Sequence, residues 1–281
     1  MQFMYLGTAA AEGWPGVFCQ CEFCREAERL GGKNIRTRSQ ALINDDLLLD
    51  LPPDTYMHKL QHKLDLSAVQ HLLITHCHMD HFYPQELTIR GGGYSPVMKS
   101  PDLHIYCAQE TKDFLYHCAN GELEKPCNDL IHWHVLKAFE PVQAGQYRIM
   151  PLPANHMGKG HEPFIYHIED AEGKSIFYLH DTGYYFESVW EYFKAQKKPA
   201  DLISFDTTSG KIDTHMGGGH LGLPDIIKVK QQLVDIGLID DHTHCVINHF
   251  SHNGHLLHHQ LEEAANPHGL DVSYDGKIIN L

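Results

Sequence analysis

Short apolar runs alternate along the chain with segments of helical period, and polar turns separate the two. The runs predict strands over Gln2–Leu6, Gln40–Asn44, Leu47–Asp50, Val69–Thr75, Leu103–Cys107, Ile131–Leu136, Tyr147–Leu152, Phe164–Glu169, Ser175–Leu179, Leu202–Phe205 and Thr243–Asn248. A closing pair is expected near Asp271–Ser273 and Lys277–Ile279. Helices are predicted over Glu22–Leu30, Pro53–Gln61, Ala108–Ala119, Phe186–Ala195, Pro224–Val234 and Gly254–Ala264. Pro224 followed by Asp225 suits a first helical turn, where the missing N–H costs nothing and an acidic side chain meets the positive end of the helix. Strands with helices between them point to an α/β class, as two mixed β-sheets flanked by helices in an αββα sandwich. No repeat, linker or charge block divides the chain, so residues 1–281 are expected to form one domain.

The polar residues that interrupt this pattern most abruptly follow predicted strands. THCHMDHF begins where Val69–Thr75 stops and carries His76, His78, Asp80 and His81. His156 follows Tyr147–Leu152, Asp181 follows Ser175–Leu179 and His249 follows Thr243–Asn248. Loops leaving strand ends converge on one edge of a sheet, where ligand sites of α/β proteins commonly lie. Imidazole with carboxylate suits Zn, Mn or Fe. Seven such ligands are too many for one tetrahedral ion and fit two ions that share one. A carboxylate has two oxygens, so Asp181 can be the shared ligand where an imidazole cannot.

Composition qualifies this reading in both directions. The chain has 24 His against 22 Lys plus Arg, so a histidine by itself means little and only its position can single it out. The formal charge of −14 opposes a broad nucleic-acid surface, which needs clustered Lys and Arg. No apolar stretch reaches a membrane span, so no membrane association is expected. MQFMYLGTAAAEG has neither a basic region nor an apolar run, so a leader is not expected and the protein is read as cytoplasmic. The eight cysteines then point to thiol or metal chemistry rather than a disulfide framework. Three of them form a CxCxxC turn, Cys19, Cys21 and Cys24, running into a helix. This knuckle at 19–24 is a zinc clamp lacking one ligand, which His252 in NHFSHNGH could supply. A CxxC redox pair is the rival reading.

HxHxDH as His76-Cys77-His78-Met79-Asp80-His81 after an apolar strand resembles the metallo-β-lactamase superfamily, as do Leu6-Gly7-Thr8, His156, Asp181 in HDTG, and His249. The resemblance implies that His76, His78 and His156 hold one ion, that Asp80, His81 and His249 hold the other, and that Asp181 bridges. True β-lactamases place a cysteine at the bridging position, so Asp181 disfavours antibiotic hydrolysis. LGTAAAEGWP and CxCxxC, together with HxHxDH and the terminal HxxH, narrow the likeness to the phosphoribosyl 1,2-cyclic phosphate phosphodiesterases of the carbon–phosphorus lyase pathway and their relatives. In that group the knuckle holds a structural zinc and a histidine before a helix acts as acid, the place that His220 of GGGHLGLPD takes here.

This likeness implies a dinuclear phosphodiesterase, with Mn or Zn in the active site and one structural Zn, acting on a small cyclic or nucleotide-like phosphodiester. Two ions would generate hydroxide at neutral pH and offset the substrate's charge. His220 would protonate the leaving oxygen, with Asp80 doubling as ligand and orienting partner. Relatives of this kind are often dimers. A tRNA 3′-processing endonuclease would use the same ligands, but the net charge speaks against it. A non-hydrolytic protein like the pyrroloquinoline quinone biosynthesis partner shares the knuckle, although that group tends to have an altered metal motif. A thioesterase or lactonase remains open on fold alone. Weaker candidates for substrate contact are Arg36, Arg38, His161 and the glycines Gly91–Gly93, with Asp206 a candidate to support the ligands.

Overall fold

The computed structural model describes residues 1–281. In chain order it contains β1 (Gln2–Gly7), α1 (Glu22–Leu30), β2 (Gln40–Ile43), β3 (Leu47–Leu49), α2 (Thr55–His62), β4 (His71–Leu73), β5 (Leu103–Cys107), α3 (Gln109–Ala119), α4 (Lys125–Asn128) and β6 (Ile131–Val135). There follow β7 (Val142–Ala144), β8 (Tyr147–Pro153), β9 (Phe164–Glu169), β10 (Ser175–Leu179), α5 (Glu187–Lys194), β11 (Leu202–Asp206), α6 (Leu223–Asp235), β12 (His244–Asn248), α7 (His258–Ala265), β13 (Asp271–Val272) and β14 (Ile278–Asn280).

Two seven-stranded sheets result, ordered β14-β1-β2-β3-β4-β5-β6 and β13-β12-β11-β10-β9-β8-β7. Each is antiparallel in one half and parallel in the other. Pairing turns parallel from β3 to β6 in the first sheet and from β10 to β13 in the second. Buried Phe3 and Tyr5 of β1 pack with Tyr166 and Tyr178 of β9 and β10 in one apolar cluster between the sheets. A second cluster joins the outer face of β10–β12 to Trp190 of α5, Ile226 of α6 and Leu261 of α7, and a third joins Leu72 and Ile105 to Leu115 of α3. This is the αββα sandwich expected from the strand and helix pattern.

Strands β10 and β11 are buried along their whole length, as parallel strands covered on both faces must be, and they read as continuous apolar runs. The β11–β12 register ends on Asp206 opposite Asn248, so the chain leaves the two strands side by side. The loops that follow therefore start as neighbours. Three differences from expectation have local causes. Strand β7 is only three residues long, too short for alternation to declare itself. Strand β4 is trimmed at both ends, because Thr75 leaves the ladder for a carboxylate, as described below. Helix α7 starts at His258 rather than Gly254, because His255 has a left-handed φ of 59° and stacks on Phe23.

Candidate metal centre

Every segment marked by the sequence leaves the C-terminal end of a strand on one edge of the sandwich. The β4 loop carries His76, His78, Asp80 and His81; His156 follows β8, Asp181 follows β10 and His249 follows β12. Asp181 and His249 both sit at positive φ, 52° and 61°, a conformation that costs a non-glycine residue and clusters at functional sites.

The structure draws these side chains into two adjoining groups whose ligand atoms lie within 4.8 Å of one another: His76, His78 and His156, and Asp80, His81, Asp181 and His249. In the first, His78 Nδ1 is 2.9 Å from His76 Nε2 and 3.2 Å from His156 Nε2. In the second, His81 Nε2 is 3.2 Å from His249 Nε2 and 3.3 Å from Asp80 Oδ2. Asp181 lies between the groups. Its Oδ2 contacts His81 Nε2 and is 3.5 Å from His76 Nε2, while its Oδ1 is 3.4 Å from His249 Nδ1.

Hydrogen bonds around the rings determine which nitrogen each presents. His81 Nδ1 lies 2.7 Å from Asp50 Oδ2, so it is the protonated nitrogen. Thr75 Oγ1 donates to Asp50 Oδ1 and so accepts from His76 Nδ1 at 3.0 Å. Thr208 Oγ1 donates to the His249 carbonyl and so accepts from His249 Nδ1 at 2.7 Å. His156 Nδ1 donates to the Gly219 carbonyl at 3.2 Å. His76, His156 and His249 thus hold a proton on Nδ1 and turn an unprotonated Nε2 inward, and His78 offers Nδ1. Burial opposes a charge on His81, but Asp181, Asp50 and Asp80 raise its pKa, so a cation must displace the proton that its Nε2 shares with Asp181. Convergent lone pairs beside two buried carboxylates are the donor set of divalent cations, and the residues fit that group. Burial pushes the pKa of His76 and His156 down, keeping both neutral as ligands must be.

His220 stands at the rim. Its Nδ1 donates to Asp206 Oδ2 at 3.0 Å and lies 3.4 Å from Asp181 Oδ1. Burial works against its charge, but Asp206, with Asp181 and Asp80 behind it, raises its pKa to about 9. The orienting role expected of Asp80 falls to Asp206 here, because Asp80 is engaged with His81 and His249. Asp206 Oδ2 also accepts from the Asp181 N–H at 2.9 Å and so holds the candidate bridge as well. A cleft of about 420 Å³ opens over these groups, lined also by Ala10, Ala11, Glu12, Ser209, Ile212, Ser251 and Asn253.

The knuckle forms a separate group, in which Cys19, Cys21, Cys24 and His252 bring their donor atoms within 4.8 Å. His252 Nδ1 is 3.5 Å from Cys21 Sγ and 3.9 Å from Cys19 Sγ. Although burial opposes it, the Cys24 and Phe23 N–H groups at the start of α1 hold the Cys21 thiol pKa down, whereas burial pushes Cys24 up to about 12. Three thiols this close with one easily ionised suit a cation that would offset the charge of the other two.

Residues 46–267 match the family model described as the beta-lactamase superfamily domain. The chain belongs to the metallo-β-lactamase superfamily. Within that superfamily it is 24% identical, over 325 aligned positions and the full length of both chains, to the coenzyme PQQ synthesis protein B of Acinetobacter baylyi. Solved structures of the same fold include a diphosphatase from the PhnP family (TM-score 0.76, 17% identity, 100% of this chain and 97% of that one). Zinc-bound PqqB from Methylobacterium extorquens aligns with TM-score 0.76 at 18% identity over 100% of both chains. The short form of human tRNase Z aligns with TM-score 0.66 at 17% identity, over 100% of this chain and 99% of that one.

The superfamily fold accounts for the strand-end position of the site, and the chain's own residues account for its details. Asp50, Thr75 and Thr208 were not marked by the sequence: Asp50 and Thr208 act through histidines 31 and 41 positions away, and Thr75 acts on its neighbour His76 only because Asp50 takes its hydroxyl proton. Of the weaker candidates, Asp206 joins the site. Arg36 is buried on Thr8 Oγ1 and the Ser273 carbonyl, Arg38 pairs with Asp54, and His161 pairs with Glu110. Gly91 and Gly92 lie against Cys127, Gly93 is open, and none of the three lines the cleft. No helix is long and apolar enough to cross a membrane.

Proposed function

We propose that this chain is a dinuclear metal-dependent phosphodiesterase acting on a small phosphodiester, with His220 as general acid. The observation that carries the reading is Asp181, whose carboxylate reaches both histidine groups while Asp206 holds its backbone and His220 together. His76, His78 and His156 would hold one divalent ion, Asp80, His81 and His249 the other, and Asp181 both; Cys19, Cys21, Cys24 and His252 would hold a structural zinc. When bound, two such ions lower the pKa of water and offset the charge of a phosphodiester.

The protein's own groups do the rest. Asp206 keeps a proton on His220 Nδ1, which leaves Nε2 to deliver the second proton to the departing oxygen. Asp50, Thr75, Thr208 and the Gly219 carbonyl hold the ligand rings in register. Turnover of metal-reconstituted protein on cyclic phosphates, bis(p-nitrophenyl) phosphate, a thioester, a lactone and pre-tRNA tests the assignment. Hydrolysis of small diesters is expected, and activity confined to the thioester or lactone contradicts it.

A second reading, a role in coenzyme PQQ synthesis, is favoured by the full-length similarity to the Acinetobacter baylyi protein. It predicts metal binding without diester hydrolysis. The His220–Asp206 pair on the cleft has a use in the first reading and none evident in the second.

A further inference from the structure

The cleft is lined by fourteen residues, none of which is Lys or Arg. Apart from the candidate ligands and the His220 imidazolium, its one charged side chain is the Glu12 carboxylate. Ser251 Oγ donates to Glu12 Oε1 at 2.5 Å, and His252 Nε2 lies 3.6 Å from the same oxygen. The other ring nitrogen of His252 faces Cys21 and Cys19, so Glu12 is held between the knuckle and the cleft. Oxygen Oε2 has no protein partner, and neither do the Ser209 hydroxyl and the Asn253 carboxamide of the same lining.

We infer that this part of the cleft lining is a subsite for an uncharged, hydroxyl-bearing substituent of the diester, and that Glu12 selects against substrates carrying a second anionic group. The inference rests on the phosphodiesterase reading and narrows its substrate class. A free carboxylate oxygen, a hydroxyl and a carboxamide together accept from and donate to alcohol groups. A second phosphate would find no cation in the lining except His220, which the departing oxygen engages, and would approach the negative charge of Glu12 inside a cleft, where like charges repel more strongly than in bulk water. Imidazoles supply the only rings in the lining, so a stacked base is not what the cleft is built around. A sugar- or glycerol-type diester without further phosphate or carboxylate fits this chemistry.

The test compares kcat/KM for p-nitrophenyl glyceryl phosphate with that for the same diester carrying a second phosphate on the glycerol, in native protein, Glu12→Gln and Glu12→Lys. Bis(p-nitrophenyl) phosphate serves as a marker for the parent reading. Native protein should favour the singly charged diester by about tenfold or more, the size of a repulsion of a little over 1 kcal/mol. Glu12→Gln, which keeps the shape and the Ser251 contact, should narrow the ratio, and Glu12→Lys should reverse it. Equal or better turnover of the doubly charged diester by native protein overturns the inference alone, as does a ratio that neither variant moves. Failure to hydrolyse all three compounds removes the parent reading and this inference with it.

Discussion

Asp50 Oδ2 lies 2.7 Å from His81 Nδ1, with both side chains fully shielded from solvent. Its other oxygen accepts from the Thr75 N–H and hydroxyl. Asp50→Asn keeps the shape but leaves one oxygen and one NH2 to serve both sides. With the oxygen kept on Thr75, the NH2 faces His81 and drives the ring proton to Nε2, the nitrogen aimed at Asp181. The ion held with Asp80 and His249 should then bind roughly 10–100-fold more weakly, while the three-histidine site keeps its affinity. Metal titration followed by calorimetry would separate the two steps; equal weakening of both sites would argue against Asp50 acting through His81.

At the knuckle, Cys21→Ser removes the one thiol held ready for ionisation. Metal analysis should show one zinc fewer per chain, with the cleft metals retained. Loss of a structural metal belongs among the large single-site effects, so Tm should fall by about 5–10 °C. If Cys19, Cys21 and Cys24 act instead as a redox pair with a spare thiol, zinc content will not change.

For His220→Ala, the expected loss depends on the leaving group. An alkoxide needs the proton and should slow by about 10²–10⁴-fold, whereas p-nitrophenolate leaves unaided and should slow far less. Asp206→Asn should show the same selectivity in weaker form, since Nδ1 of His220 keeps a hydrogen-bond acceptor there. Loss that is equal for both leaving groups would mean that the pair supports structure rather than proton transfer.

Two buried histidines away from the cleft make stability fall with acid. Burial lowers the pKa of His58 and of His167 to about 4 each; His58 sits on Gln40 Oε1 and His167 on the Tyr192 hydroxyl. Both are neutral when folded and near 6.5 when unfolded, so the unfolded chain binds protons first. The loss of stability begins as pH drops below about 6.5 and is complete below the folded value near 4, for roughly 3 kcal/mol per histidine. Urea unfolding of metal-free protein between pH 7.5 and 4.5 measures it, and His167→Gln should flatten the profile.

Much of this was legible because the signals are local. Helix Glu22–Leu30 and strands Leu103–Cys107, Phe164–Glu169 and Ser175–Leu179 have the expected ends, since each is an uninterrupted periodic run closed by a turn residue or loop. HxHxDH declares itself through spacing alone. Asp50, by contrast, reads as an ordinary residue at the end of a strand, and its partner His81 lies 31 positions away. Asp206 was legible only as a candidate to support the ligands; the parallel β10–β11 pairing is what brings it to the Asp181 N–H and His220. The helix expected over Gly254–Ala264 includes His255, but its period could not reveal the left-handed turn that removes that residue from α7.

Whether Asp181 joins two ions in one hydrolytic centre is decided by turnover of bis(p-nitrophenyl) phosphate against metal equivalents added to metal-free protein. Three tightly held ions per chain are expected, one at the knuckle and two in the cleft, with turnover appearing only as the second cleft ion binds. Full turnover with one cleft ion, or no diester hydrolysis with all three bound, would contradict that expectation.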